Sequence, residues 1–322
     1  MRSSYGQDRC VIHAPAKVNL SLRVLGKRSD GYHELETLMV RIGLYDSLQF
    51  LVTPDAEIDL QCRFAWPTSS VPAENALAAG TDSAGTGSAA TAVATAGLPV
   101  DGSNLIVKAA RLLQDVTGTR LGARISLLKR IPLQAGLAGG STDAAATLLA
   151  LNQLWRLGLS REELVELSSR LGSDIPFFVA GSSAAICRGR GERIEPVRLP
   201  VGIPLLIAKP LSGLSTAAVF KQCRIDGSGL PADQLLGTLR QQGLRGLASG
   251  MSNSLQQPAI ELNPDVARLS QLFSRLPVLG HQMSGSGTSY FAICQQLKQA
   301  RHLAGRLKGQ FEGHLFVVST VI

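Results

Sequence analysis

The part of this sequence best suited to bind an anion is residues 129–152, KRIPLQAGLAGGSTDAAATLLALN. Three glycines between residues 136 and 140 allow the backbone to turn sharply and to approach a ligand closely. Ser141 and Thr142 follow as predicted helix caps, ahead of a run rich in alanine and leucine. A turn that leads into a helix start presents unpaired N–H groups at the positive end of the helix dipole. Phosphate is the usual ligand of such a site.

A purely structural turn stays open as the alternative for this first glycine loop. The loop does not end in the lysine of a Walker A motif, and the sequence contains no GxGxxG dinucleotide fingerprint. The loop therefore indicates an anion without naming it.

Lys17 and Asn19 are a second pair whose types could do chemistry. Polar residues at 17, 19, 21 and 23 alternate with apolar residues at 18, 20, 22 and 24, which predicts a half-buried strand. Lys17 and Asn19 would share one face of that strand. This face is either solvated or lines a cleft.

Asp174 and the pair Tyr32-His33 also have two interpretations each. Asp174 precedes Ile-Pro and is a good helix N-cap, so its carboxylate is either a cap or a free base. Tyr32 and His33 follow the turn residues Asp30-Gly31, and they are either surface residues or ligand contacts.

The elements that must position these residues follow from hydrophobic periodicity and turn residues. Strands are predicted at residues 17–24, 46–53, 57–64, 205–208, 290–294 and 314–321, with a hairpin at 182–197. Helices are predicted at residues 105–114, behind the glycine loop, and at 160–172, 215–220, 234–242, 264–274 and 299–308. Antiparallel hairpins with few clear βαβ units favour an α+β fold of two domains, 1–198 and 199–322.

Residues 66–103 differ in kind from the rest of the N-terminal domain. Between residues 80 and 97, sixteen of eighteen positions are Ala, Gly, Ser or Thr. Such a segment buries too little apolar surface to offset its ordering entropy. We therefore predict a flexible insertion.

Composition limits the class of protein. A chain of 322 residues, 45% hydrophobic and 17% charged, suits a soluble globular protein, and no apolar run indicates a signal peptide or a membrane span. Five scattered cysteines without a CxxC pair predict reduced thiols in a cytoplasmic protein. The net charge of +8 is dispersed and aromatic residues are only 5%, which favours a polyanionic small substrate over nucleic acid. We expect no membrane partner and a monomer or weak homodimer.

Four segments in one order, AKVNLSL, the first glycine loop, LGSDIPFF and SGSGTS, resemble the GHMP kinase superfamily. The resemblance covers nearly the whole chain except the predicted insertion. It implies an N-terminal ATP-binding domain, a smaller C-terminal α+β domain, and phosphoryl transfer to a small hydroxyl substrate. The departures are Gln134 and Ala138, where the family often has glycine; alanine suits position 138 if the backbone there does not need positive φ.

The resemblance also implies a role for each candidate residue. Asp174 would take the proton from the substrate hydroxyl, and Lys17 would keep that carboxylate ionised and stabilise charge on the transferred phosphoryl group. Asn19 would fix the substrate near both. In the branch of the superfamily described below, whose substrate carries cytidine, the cytosine ring would be held by Tyr32, His33 and Phe220. The phosphates of ATP would be wrapped by Pro132, Leu133, Gln134, Ala135, Gly136, Leu137, Ala138, Gly139, Gly140, Ser141 and Thr142. A second glycine loop, residues 283–288, would close on the site, and Mg²⁺ is implied without an assigned protein ligand.

The segments PAKVNLSLRVLGKRSDGYHELETLM and LGSDIPFFVAG resemble the branch of this superfamily whose substrate is a cytidine diphosphate derivative of methylerythritol. The implied reaction moves the γ-phosphate of ATP to the 2-hydroxyl of the methylerythritol moiety. One alternative is another GHMP kinase, acting on homoserine, mevalonate or a sugar. Another is a non-catalytic binding protein on the same scaffold, against which the pair Lys17 and Asp174 argues.

Overall fold

The structure is a computed structural model that describes residues 1–6, 8–66, 97–225 and 227–322. The predicted flexible insertion at 66–103 falls mainly on residues 67–96, which lie outside the described residues. In the described part of the chain, no helix combines the length and the apolar character that crossing a membrane requires.

Strands and helices are mixed along the chain, as predicted for the α+β class. The strands are β1 (Arg2–Tyr5), β2 (Arg9–Lys27), β3 (His33–Thr53), β4 (Ile58–Phe64), β5 (Gly122–Lys129), β6 (Ala184–Gly189), β7 (Arg193–Val197), β8 (Pro204–Pro210), β9 (Ser252–Asn253), β10 (Gly280–Met283), β11 (Tyr290–Ile293) and β12 (Gly313–Ser319). The helices are α1 (Leu105–Thr117), α2 (Gly139–Leu154), α3 (Arg161–Ser169), α4 (Ile175–Ala180), α5 (Thr216–Gln222), α6 (Ala232–Gly250), α7 (Gln256–Leu262), α8 (Pro264–Ser274) and α9 (Leu297–Leu307).

Two sheets organise the described residues. The first has the order β1-β2-β3-β5-β4, with β6 also paired to β3, β7 to β6, and β9 to β2. The second has the order β10-β11-β8-β12, and all of its pairs are antiparallel. The hairpin predicted at residues 182–197 is confirmed as β6 and β7.

Three clusters of buried apolar side chains pack the two sheets and the helices against one another. One joins the first sheet to α1, α2 and α4, for example Phe50 with Leu148. The second joins the opposite side of the first sheet to the second sheet and α6, for example Val18 with Ile207. The third packs α7, α8 and α9 against the second sheet. The predicted domain boundary near residue 198 lies between β7 and β8 and stays a prediction, because the second cluster spans both of its sides.

The prediction of a half-buried β2 is wrong. Its polar face is buried as well as its apolar face, with Lys17 3%, Asn19 1% and Ser21 0% exposed. The reason is that the first glycine loop and β10 cover it: the Lys17 backbone N–H donates to Leu137 O, and Gln282 Nε2 donates to Asn19 O. The alternation of polar and apolar residues in a strand cannot show that residues distant in sequence will bury its polar face.

Candidate active site

A cleft of about 880 Å³ lies between β2, β3, the first glycine loop (residues 132–142) and the second glycine loop (residues 283–288). A volume of this size is typical of sites that hold whole small molecules. Asp174 is the single acidic residue among the described residues that line the cleft. The cleft is therefore suited to anionic ligands.

Lys17 and Asp174 meet at the floor of this cleft. Lys17 Nζ lies 3.5 Å from Asp174 Oδ2 and donates to Asn19 Oδ1 at 2.7 Å. Asn19 Nδ2 donates in turn to Thr37 Oγ1 at 2.8 Å, so the ammonium group is held from behind. The side chain of Asp174 is 30% exposed and that of Lys17 4%, so the carboxylate is the member of the pair that a ligand reaches.

The side chain of Asp174 is free for chemistry because it does not cap α4. Asp174 occupies the N-cap position but makes no side-chain cap hydrogen bond, so the capping alternative is excluded. α4 is fixed from its other end by Arg41, whose Nη2 donates to the carbonyl oxygens of Phe177 and Phe178 at 3.1 and 2.8 Å. Burial, with Arg161 nearby, lowers the pKa of the Arg41 guanidinium to about 10. Sequence reasoning missed Arg41, whose partners lie more than 130 residues away.

The first glycine loop has three left-handed residues, Gln134 (φ 48), Gly136 (φ 69) and Ala138 (φ 56). The condition stated for alanine at position 138 is therefore not met. A Cβ on Gly136 would collide with the carbonyl oxygen of Ser284, so this glycine is required for close approach as well as for its φ.

Helix α2 begins at Gly139, two residues before the predicted caps. Its N-cap is Ala138, which makes no side-chain cap bond, and Thr142 N already donates to Ala138 O at 3.0 Å as a helical bond. The prediction that Ser141 and Thr142 cap this helix is wrong, because the left-handed Ala138 turns the chain into the helix earlier. Gly139, Gly140 and Ser141 line the cleft in the first turn of α2.

Replacing Ala138 with glycine is expected to raise the free energy of unfolding by about 0.5 kcal/mol. The left-handed conformation costs a residue with a Cβ about 1–2 kcal/mol, and the greater backbone entropy of glycine in the unfolded chain offsets about 0.5–1 kcal/mol of the relief. Urea unfolding measures the difference. Ala145→Gly, inside α2, is the matched control and should lower stability by about 1 kcal/mol. A loss of equal size in both variants would contradict a strained turn.

A buried ion cluster ties together the two ends of the first glycine loop. Lys129, the last residue of β5, places Nζ 2.6 Å from Asp46 Oδ2 and 2.5 Å from Asp143 Oδ2 in α2. Asp46 Oδ1 also accepts the backbone N–H groups of Arg130 and Ile131. Burial opposes the charge of Lys129, but the two carboxylates outweigh it and raise its pKa. Burial raises the pKa of Asp143 well above its usual value. This cluster was not predicted.

The second glycine loop holds the outer part of the first. Four hydrogen bonds from residues 284–289 reach the first loop. Thr288 N and Thr288 Oγ1 donate to Gln134 O at 3.3 and 3.5 Å, Ser289 N donates to Ala135 O at 3.1 Å, and Ser284 Oγ donates to Gly136 O at 3.0 Å. The prediction that residues 285–287 approach the site agrees with their place in the cleft wall. The C-terminal half therefore shapes the N-terminal loop directly.

Aromatic side chains form one corner of the cleft. The rings of His33 and Phe220 stack with centroids 5.1 Å apart, and Tyr32 beside them is 53% exposed. Tyr32 and His33 come from the start of β3 and the turn before it, whereas Phe220 comes from α5. The structure thus brings together the three residues that were predicted to hold a cytosine ring.

Of the eleven loop residues predicted to wrap phosphate, Leu137 and Thr142 do not line the cleft, and both are fully buried. Thr142 Oγ1 has no hydrogen-bond partner among the described residues. The N–H groups at the start of α2, a helix of 16 residues, are the donors that suit a phosphate. The loop therefore fits a nucleotide phosphate through its backbone.

A kinase of the GHMP class is what this fold and cleft define. The model of the GHMP kinases N terminal domain matches residues 104–182, and that of the GHMP kinases C terminal domain matches residues 235–313. The 4-diphosphocytidyl-2-C-methyl-D-erythritol kinase of Geobacillus sp. (strain WCH70) is 35% identical over 302 residues, 94% of this chain and 93% of that protein. The kinase of the same name from Pelotomaculum thermopropionicum is 36% identical over 297 residues, 92% of each chain.

Solved structures agree with these relatives. A crystal structure of 4-(cytidine 5'-diphospho)-2C-methyl-D-erythritol kinase superposes with a TM-score of 0.73 at 33% identity, covering 96% of this chain and 98% of that one. The L. major mevalonate kinase in complex with R-mevalonate gives a TM-score of 0.67 at 15% identity, covering 99% and 96%, and so shares the fold alone. The chain belongs to the family of 4-diphosphocytidyl-2-C-methyl-D-erythritol kinases, within the GHMP kinases.

Proposed function

We propose that this protein transfers the γ-phosphate of ATP to the 2-hydroxyl of 4-diphosphocytidyl-2-C-methyl-D-erythritol, giving the 2-phosphate and ADP. The reaction belongs to the non-mevalonate route to isoprenoid precursors. The observation that carries the proposal is the pair Lys17 and Asp174, 3.5 Å apart between the start of α2 and the aromatic corner. A substrate hydroxyl beside this pair would have the γ-phosphate of ATP on one side and the bound cytosine ring of its own substrate on the other.

Asp174 acts as the general base in this proposal. Its carboxylate accepts the proton of the substrate hydroxyl as the oxygen attacks the γ-phosphorus atom. Lys17 keeps the carboxylate ionised and stabilises negative charge on the transferred group. Asn19, which accepts a hydrogen bond from Lys17 Nζ and is itself held by Thr37, fixes the direction of the ammonium group.

The first glycine loop binds the phosphates through backbone N–H groups at the start of α2. Mg²⁺, when bound, neutralises charge on the phosphate oxygens. The described residues contain no cluster of three or more His, Cys, Asp or Glu side chains suited to a metal ion. A magnesium ion bound with ATP would take most of its ligands from phosphate and water, and the Ser141 hydroxyl in the cleft wall is the side-chain oxygen that the loop would offer it.

The test of the function is ADP release from ATP and Mg²⁺ with two acceptors, the cytidylyl substrate and the same sugar phosphate without the CMP group. We expect turnover with the first acceptor only. Turnover with homoserine or mevalonate instead would keep the kinase and overturn the substrate. No turnover with any acceptor would favour the binding-protein alternative.

Replacing Phe220 with alanine is expected to raise KM for the cytidylyl substrate about 10- to 100-fold, because stacking on one base is worth about 1–3 kcal/mol. KM for ATP should stay unchanged, since Phe220 lies at the aromatic corner and not at the first glycine loop. Steady-state kinetics with each substrate varied in turn measures both. Phe311→Ala, outside the cleft wall, is the matched control. Equal increases in both KM values would contradict a cytosine-binding role for Phe220.

The cytoplasmic location, the absence of a nucleic-acid partner and the monomeric or weakly dimeric state stay predictions from the sequence.

A further inference from the structure

Three cationic side chains lie where the cleft opens beside the aromatic corner: Lys27, Arg190 and Lys221. None of the three forms an ion pair with a carboxylate in the described part of the chain. The cleft floor already has a cation in Lys17. The three cations at the opening are therefore free to meet a separate negative charge on a ligand.

Arg190 is the most firmly positioned of these three residues. It lies in the turn between β6 and β7, where its backbone N–H donates to Glu192 Oε2 at 2.6 Å. Its guanidinium carbon stands 4.8 Å from the centre of the Tyr32 ring. Such a cation–π contact restrains the guanidinium while leaving its N–H donors unused.

Arg188, two residues earlier in the same hairpin, differs from Arg190 in that its guanidinium is used in ion pairs within the protein. Arg188 forms ion pairs with Glu36, Glu195 and Asp233, so its donors are engaged within the protein. Arg190 forms no ion pair with a described carboxylate, and its charge only adds to the hydrogen bonds from Tyr32 N and Arg28 that lower the pKa of Asp30. The two arginines of one hairpin therefore have different uses.

The turn that carries Arg190 reaches both ends of the substrate site. At one end Arg190 contacts Tyr32. At the other end, a Cβ on the neighbouring Gly191 would lie 3.6 Å from the carbonyl oxygen of Ser173, the residue before Asp174. Arg190 thus stands between the aromatic corner and the general base.

The substrate of the proposed function carries its negative charge between the two parts that the aromatic corner and Asp174 would bind. Its cytosine ring and its reacting hydroxyl are separated by a diphosphate. With the ring at Tyr32, His33 and Phe220 and the hydroxyl at Asp174, the diphosphate has to cross the wall where Arg190 lies. A guanidinium can donate two parallel hydrogen bonds to phosphate oxygens, which a lysine cannot.

We propose that Arg190 binds the diphosphate of the cytidylyl substrate and so selects substrates that carry this group. The proposal rests on the proposed function. Lys27 and Lys221 add to the positive field at the opening of the cleft, whereas Arg190 makes the directed contact.

Calorimetric binding of CDP and of cytidine tests this role directly. Both ligands present the base, but only CDP presents a diphosphate. The protein is first saturated with a non-hydrolysable ATP analogue, so that CDP cannot occupy the nucleotide site. Arg190→Met should weaken CDP binding about 10- to 100-fold, because hydrogen bonds to charged groups contribute about 1.5–3 kcal/mol, and should leave cytidine binding almost unchanged. Arg190→Lys should lose less CDP affinity than Arg190→Met.

Arg193→Met, an exposed arginine of β7 outside the cleft wall, is the matched control and should bind both ligands as the wild type does. Unchanged CDP affinity in Arg190→Met would overturn the proposal. Equal losses for CDP and cytidine would also overturn it, because Arg190 would then act only by shaping the Tyr32 ring. A wild-type protein that binds neither ligand would overturn the proposed function, and this inference with it. Normal binding by the wild type with no effect of Arg190→Met would overturn this inference alone.

Discussion

Replacing Asp174 with asparagine is expected to lower kcat by about 10²- to 10⁴-fold, the usual contribution of a general base. The amide has nearly the same size as the carboxylate but cannot accept the proton of the substrate hydroxyl. Because the Asp174 side chain makes no cap hydrogen bond in α4, its loss removes no structural bond there. We therefore expect an intact fold and a nearly unchanged dissociation constant for ATP.

Single-turnover phosphorylation of the cytidylyl substrate separates the chemical step from product release. Asp265→Asn is a suitable control, since Asp265 lies in the first turn of α8, away from the cleft, and pairs with Arg268 at the surface. Its kcat should equal that of the wild type. A loss below tenfold in Asp174→Asn would assign the proton to another acceptor.

Replacing Lys129 with methionine is expected to lower the free energy of unfolding by about 3–5 kcal/mol, the usual cost of removing one partner from a buried ion pair. Asp46 and Asp143 are 0% and 2% exposed and would be left without their cation. Chemical denaturation at neutral pH measures the loss. The control is Arg124→Met on the same strand, whose ion pair with Asp59 at 3.4 Å is exposed. It should cost less than about 1 kcal/mol.

The effect of Lys129→Met should depend on pH in a defined direction. Burial already raises the pKa of Asp143, and loss of the neighbouring ammonium group would raise it further. A carboxyl group whose folded pKa exceeds its unfolded value is least unfavourable below the unfolded value, about 3.9, and costs stability as the pH rises. The gap between the variant and the wild type should therefore be smaller at pH 5 than at pH 8. A gap independent of pH would show that the charge of Asp143 is not its cause.

Adding Asp143→Asn to Lys129→Met should restore part of the lost stability, because a neutral amide costs less to bury than an unpaired carboxylate. No recovery in the double variant would mean that packing of the Lys129 chain, and not charge, supports the loop.

Elements with local signals were predicted well from the sequence. Helix α8 spans Pro264–Ser274, as predicted, because Asn263 caps it and Pro264 suits its first turn. The strand at residues 17–24 and the hairpin at 182–197 were likewise found, since alternation and turn residues act over a few positions. Residues within each of these segments are enough to indicate whether it forms a helix or a strand.

Features with distant causes were not predicted. Lys129 meets Asp46 and Asp143 only after three separate segments have packed, and a lysine at the end of a strand has no local pattern that names its partners. The early start of α2 has the same origin, because the outer part of the first glycine loop is held by residues 284–289. The pairing of Lys17 with Asp174, 157 positions apart, followed from the family resemblance and not from periodicity.

The four hydrogen bonds from residues 284–289 to the first glycine loop have a consequence for the order of events during synthesis. A nascent chain that has emerged only as far as residue 200 already contains the whole loop, Lys17 and Asp174, yet it lacks the donors that hold Gln134, Ala135 and Gly136. The first glycine loop is therefore among the last parts of this molecule to gain all of its hydrogen bonds, although it is made well before residues 284–289.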